Sequence, residues 1–133
     1  MSPEQTEQML RILSQARNAV VALNRPGKAP HLSVVWFVWD GEYFRFSTTT
    51  DRVKYGLLQR NPAISLLVDD LNLGYVAAYG HAVVREEGFA DAARPIAEKY
   101  MSDSIERGMA MLTTPGRVLV ELRPEHVTIR WRG

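Results

Sequence analysis

The chain contains no cysteine, which excludes a disulfide framework, a thiolate metal site and a thiol nucleophile. Its three histidines, His31, His81 and His126, are widely separated and show no ligand spacing of the HExxH kind. Neither sign of charge is in excess: 16 Lys and Arg stand against 15 Asp and Glu, a net charge of +1. No basic field therefore draws the chain to nucleic acid or to an anionic membrane surface. No apolar run approaches the roughly 20 residues that a spanning helix requires. The N-terminus carries Glu4 and Glu7 rather than a charged-then-apolar leader, so a cytoplasmic location is the expectation. Repeats, linkers and low-complexity tracts are also missing. What is left is ordinary for a globular chain: 46% hydrophobic and 23% charged residues over 133 positions, one domain spanning 1–133.

The first element is a helix. Ser2 is its N-cap, Pro3 its first helical position and Gln5 the far member of a capping box, with Met9, Leu10, Ile12 and Leu13 on the apolar side. Asn18–Asn24 reads as a short apolar strand that ends at a Pro26-Gly27-Lys28 turn. His31–Asp40, rich in β-branched and aromatic residues, reads as one long strand with apolar residues on both faces, hence covered on both sides. Asp40-Gly41 turns it into a strand over Tyr43–Thr48. Ala63–Asp69 and Tyr75–Glu86 are further strands, the latter interrupted by Gly80, which marks a bulge or a barrel bend.

Ala90–Thr114 is helical, expected to start near Ala92 because of Pro95 and to break at Ser102–Ser104. Val118–Leu122 and His126–Trp131 close the chain as strands. About seven antiparallel strands with three to four peripheral helices predict a mainly β, α+β fold, a closed or partly closed barrel. A barrel this short cannot cover both faces of its middle strands. The apolar faces of His31–Asp40 and Tyr75–Glu86 are thus candidates for a dimer interface.

Chemistry concentrates in Phe44–Pro62, FRFSTTTDRVKYGLLQRNP. A strand runs through Ser47, Thr48, Thr49 and Thr50 into a short helix that Asn61-Pro62 ends, with Asp51 the expected N-cap. Arg52 and Lys54 fall in its first turn, where the helix dipole disfavours cations. Hydroxyls, two cations and free backbone N–H groups at one place form a seat for a phosphate. A solvated strand-to-helix turn with two surface cations is the other reading of the same residues.

The ordered motifs resemble the pyridoxamine-phosphate-oxidase-like split β-barrel flavoproteins, over about Ala19 to Trp131. They are the Pro-Gly turn, PHLSVVWFVWDGEYFRFST, Arg52-x-Lys54 before Leu58, Arg60 and Pro62, then AISLLVDD, GYVAAYGHAVV and HVTIRW. Within that group the chain is most similar to the branch that binds the deazaflavin coenzyme F-420, mostly through Lys54 in its Arg-x-Lys context. The resemblance implies a homodimer with two sites at its interface. The tricyclic ring would lie along Ser33, Val34, Val35 and Trp36, with its phosphate held by Ser47, Thr48, Arg52 and Lys54. Tyr75 would come from the second subunit, and Trp131 would line the cofactor.

The implied reaction is hydride transfer between reduced F-420 and a small organic acceptor, in which the cofactor carries the chemistry and the protein orients the ring and excludes water. Flavin mononucleotide (FMN), whose single phosphate needs the same donors, is the alternative cofactor, and a non-catalytic flavin, deazaflavin or haem carrier is a third reading. Gly56 and Leu57 stand where relatives carry polar residues, so the coenzyme tail is expected to be held differently. No catalytic side chain is assigned: Tyr79, His31 and His81 are candidates to donate a proton, with a structural role as the competing reading. Arg11, Arg17 and Lys28 are either partners of an anionic tail or solvated surface.

Overall fold

Helix α1 (Pro3–Leu13) starts where the sequence places it. Ser2 Oγ accepts from the Gln5 N–H at 3.1 Å, and Gln5 Oε1 accepts from the Ser2 N–H at 2.9 Å, which completes the capping box. Met9, Ile12 and Leu13 are buried along its inner side. The structure, a computed structural model, describes residues 1–133. After α1 come β1 (Ala19–Arg25), β2 (Lys28–Val35), β3 (Val38–Trp39), β4 (Phe44–Thr49), α2 (Val53–Arg60), β5 (Ala63–Asp70) and β6 (Gly74–Arg85). Helices α3 (Phe89–Tyr100) and α4 (Ile105–Leu112) follow, then β7 (Arg117–Leu122) and β8 (His126–Trp131).

Every strand pairing is antiparallel, in the order β2-β1-β5-β6-β7-β4-β3, with β8 also on β6. The two ends of that path, β2 and β3, are consecutive in the chain and joined only by Trp36 and Phe37. The sheet therefore returns on itself as the expected α+β split barrel with peripheral helices. Its interior holds Val21, Leu23, Phe37, Phe44, Phe46, Val68, Val76, Ala78, Val120 and Leu122, all fully buried, and α1 packs Ile12 and Leu13 onto them. A smaller cluster of Ala93, Ile96, Ala97 and Leu112 joins α3 to α4.

Gly80 lies where β6 changes neighbours: Gly74–Tyr79 pairs with β8 and Ala82–Arg85 pairs with β7. Register with β5 runs through it unbroken, so it marks a bend and not a bulge. A Cβ there would come within 2.9 Å of Leu122 Cδ1 and 3.3 Å of the Arg123 carbonyl oxygen, space that only glycine leaves.

Three expectations need correction. The strand predicted over His31–Asp40 is two strands, because the backbone of Phe37 leaves the ladder. Its N–H donates to the Tyr100 hydroxyl at 3.3 Å, and its carbonyl accepts from Lys99 Nζ at 3.1 Å. Lys99 also donates to the Leu13 carbonyl at 2.7 Å, so one buried ammonium ties α3, the end of α1 and the strand break together. Burial alone pushes the Lys99 pKa down to about 8.

Second, β2 is not covered on both faces within one chain: Leu32 and Val34 are 65% and 59% exposed, while Val35 is buried. Third, α3 begins at Phe89, three residues ahead of the expected start, so Pro95 lies inside the helix. It faces solvent there, where water can hydrate the carbonyl that the missing N–H leaves free.

Candidate functional site

The β4–β7 ladder and the end of β2 enclose a cleft of about 280 Å³. Strand periodicity sends Phe44, Phe46 and Thr48 into the barrel and Arg45, Ser47 and Thr49 to its outer side. Thr49 is directly opposite Arg117 on β7, and Ser47 opposite Leu119. The cleft is lined by Val34, Val35 and Trp36 from β2 and its end, Ser47, Thr48 and Thr49 from β4, and Arg52 and Lys54 at the start of α2. Asn18, Met111, Leu112 and Arg117 complete it.

Seven of the ten residues singled out in the sequence thus meet in one cleft: Val34, Val35, Trp36, Ser47, Thr48, Arg52 and Lys54. The other three do not line it. Ser33 shares the inward side of β2 with Val35, and its hydroxyl is buried without a partner. Tyr75 pairs with Arg130 on the β6–β8 ladder. Trp131, at the end of β8, packs against the barrel core under the Arg11 guanidinium, 5.4 Å from the ring centroid. The proton-donor candidates are also elsewhere: His81 Nδ1 is 2.7 Å from Glu125, and Tyr79 lies beside His126. Of the tail-binding candidates, Arg17 is paired with Asp70 at 3.1 Å.

Trp36 has one face occupied. It stacks on Tyr100 with centroids 5.0 Å apart and planes 6° from parallel. The Tyr100 hydroxyl donates to the Arg17 carbonyl at 2.7 Å, which fixes that ring and with it the indole at the cleft edge.

The polar end of the cleft is cationic, with the Asp51 carboxylate a partial counter-charge that none of its cations pairs with. Arg52, Lys54 and Arg117 take part in none of the eight ion pairs of the protein. Burial lowers the Lys54 pKa, and the neighbouring Arg52 charge lowers it further. Arg117 is shifted down for the same two reasons, with Asp51 partly opposing. Ser47 Oγ is buried and has no hydrogen-bond partner. An orphaned hydroxyl beside cations that repel each other is a donor set without its acceptor.

Asp51 is not the N-cap of α2; Arg52 holds that position and makes no side-chain cap bond. The Asp51 carboxylate instead accepts from the Thr49 hydroxyl, which holds it below the usual carboxylate range. The side-chain donors expected for the anion seat, Ser47, Thr48, Arg52 and Lys54, do not depend on that cap and still line one cleft. Arg117 was missed in the sequence, as were Asn18, Met111 and Leu112. Pairing between β4 and β7 brings Arg117 in, and no local motif announces that pairing.

A family described as pyridoxamine 5'-phosphate oxidase matches residues 5–131 of the chain. No curated protein matches the sequence significantly. Among solved structures, the conserved hypothetical protein Rv2991 from Mycobacterium tuberculosis superposes with a TM-score of 0.79 at 23% identity, over 99% of this chain and 85% of that one. An F-420 reductase matches with a TM-score of 0.72 at 25% identity, over 90% of this chain and 94% of its own. General Stress Protein 26 from Bacillus anthracis matches with a TM-score of 0.73 at 20% identity, over 95% and 93% of the two chains.

Proposed function

The chain belongs to the pyridoxamine 5'-phosphate oxidase family, and from that premise we propose that it is an oxidoreductase that uses the deazaflavin coenzyme F-420 to reduce a small organic acceptor. One observation carries the reading: three cations outside every ion pair and a buried, unpaired Ser47 hydroxyl at one end of a cleft whose other wall is the Val34–Trp36 strand. These residues fit the group. Arg52, Lys54 and Ser47 would hold the phosphate, and Val34, Val35 and Trp36 would flank the ring. When bound, the coenzyme supplies hydride chemistry that no side chain of this protein provides. The chain's part is to orient the ring against β2 and to keep water from it, with Trp36 braced by Tyr100 and the far wall closed by Met111 and Leu112.

A second copy of the chain is the proposed partner. On the outer side of β2-β1-β5-β6-β8, two whole cross-strand rows carry no Asp, Glu, Lys or Arg. They run Val34–Val20–Leu67–Ala77–Thr128 and Leu32–Ala22–Ser65–Tyr79–His126. Leu67 and Tyr79 are 40% and 43% exposed there, and the face is continuous with the cleft through Val34. Burying such a face against its copy would bring Tyr75, on the same side of β6, toward the partner's cleft. Leu32→Glu should convert a dimer to a monomer in light scattering; a wild-type protein that is already monomeric would refute the partner.

FMN is the second reading, favoured by the charge of the seat, since a terminal phosphate carries more charge than the phosphodiester of F-420. Fluorescence titration of the ligand-free protein with both cofactors decides. The first reading expects the tighter dissociation constant with F-420, then oxidation of reduced F-420 by a member of a panel of quinones, tetrapyrroles and unsaturated ketones. Binding with no turnover on any acceptor would leave a carrier, and binding of neither cofactor would end the proposal.

A further inference from the structure

Arg117 lines the cleft with much of its guanidinium already committed. Its Nε donates to Thr114 Oγ1 at 3.3 Å and its Nη2 to the Met111 carbonyl at 3.0 Å. Both acceptors are at the C-terminal end of α4, and Met111 and Leu112 of that helix form a wall of the cleft. No carboxylate meets the group. The ladder fixes its base opposite Thr49, and the Thr50 N–H donates to the Gly116 carbonyl at 2.9 Å, so the backbone on both sides is held. A guanidinium fixed by two neutral acceptors keeps its whole charge and its remaining N–H donors for something else.

Building on the cofactor reading above, we infer that Arg117 is a third ligand of the anionic group, and that its bonds to α4 couple filling of the seat to the position of the Met111–Leu112 wall. A seat of Arg52 and Lys54 alone leaves a half-buried guanidinium in the same cleft with no role. Desolvation and the Arg52 charge both press on Arg117, and an anion between the three cations relieves that repulsion. The seat then suits an occupant with more than one negative charge at that point: a terminal phosphate, or a phosphodiester followed closely by a carboxylate. Because Arg117 is bonded to the end of α4, binding should also make α4 harder to open.

The test is calorimetric titration of the wild type, Arg117→Gln and Arg117→Lys with FMN, riboflavin, F-420 and inorganic pyrophosphate. Hydrogen exchange of α4 is followed with and without pyrophosphate. Arg117→Gln should weaken every phosphate-bearing ligand at least about tenfold and leave riboflavin unchanged, with Arg117→Lys between the two. Pyrophosphate should slow exchange in α4 of the wild type and not of Arg117→Gln. If neither FMN nor F-420 binds the wild type but pyrophosphate does so in an Arg117-dependent way, the assignment stands and the redox reading falls. Should Arg117→Gln fail to fold, Arg117→Lys and Thr114→Val, which frees the guanidinium from its tether, carry the same comparison. Equal loss for FMN and riboflavin, unchanged FMN affinity, or no binding of any of the four ligands would each overturn the inference.

Discussion

Two ends of one ladder handle charge in opposite ways. On the outer side of β4 and β7, Arg45 stands directly opposite Glu121, whose carboxylate takes the Arg45 Nε at 2.6 Å and is also bonded by Arg85. Asp40 bonds the other side of the Arg45 guanidinium. Four residues along the same strand, Thr49 stands opposite Arg117, and Arg52 and Lys54 add two more cations with no carboxylate bonded to any of the three. Strand and face are the same; the partners differ. A chain that neutralises its charges internally gains structure, whereas one that leaves like charges together retains a demand for a ligand. The first end is architecture and the second is the proposed site.

The sharpest way to break this contrast is to give the second end the chemistry of the first. Thr49→Glu would set a carboxylate opposite Arg117, as Glu121 is set opposite Arg45. A like charge in the seat repels an incoming anion by several kcal/mol, so pyrophosphate and FMN affinity should fall on the order of a hundredfold or more. Thermal stability should hold or rise, because the cations acquire a counter-charge. A variant that binds normally would show that the seat is not where the anion goes.

Lys54→Ala is the milder form. One ionised donor to a phosphate contributes on the order of 1.5–3 kcal/mol, so the dissociation constant should rise at least about tenfold. The ligand-free protein should not lose stability, since a cation crowded by Arg52 has gone. Glu121→Gln reverses both signs. It should lower stability by about 1–2 kcal/mol, the difference between charged and neutral hydrogen bonds to Arg45 and Arg85. Ligand affinity should stay at the wild-type value. Denaturant unfolding and titration of the same two variants read both quantities, and two variants moving the same quantity would erase the distinction between the ends.

Much of this was legible in the sequence where the cause is local. The Ser2–Gln5 capping box, the turns at Gly27 and Gly41 and the gathering of Ser47, Arg52 and Lys54 all depend on residues close along the chain. What escaped depends on distant ones. The break at Trp36–Phe37 exists because Lys99 and Tyr100, more than 60 positions away, supply the hydrogen bonds that a ladder would have given. Arg117 enters the seat by pairing with Thr49, and Met111 and Leu112 by the packing of α4. Asp51 looked like a cap because its type fits one, yet the Thr49 hydroxyl claims it. Period and motif locate the donors, whereas tertiary pairing decides how many share one cleft.

pH reads the smallest difference between the two ends. Burial works against the Glu121 carboxylate, but its bonds to Arg85 and Arg45 outweigh that and leave its pKa below the ordinary 4.5. Its contribution is therefore complete above pH 4.5 and is lost as pH falls through the native value. Lys54 runs the other way. Burial first, and then Arg52, lower its pKa from 10.5, so the folded state carries a penalty at neutral pH that fades as pH rises toward 10.5. Lys99 has the same sign of dependence from about pH 8 upward, so the quantity to follow is wild type minus Lys54→Met, in which Lys99 cancels. That difference should shift toward the wild type as pH rises toward 10.5, and saturating pyrophosphate should flatten it, because a bound anion restores the Lys54 proton. A flat difference in the ligand-free protein would mean that Lys54 is not crowded at all, and the two ends of the ladder would then differ in composition without differing in purpose.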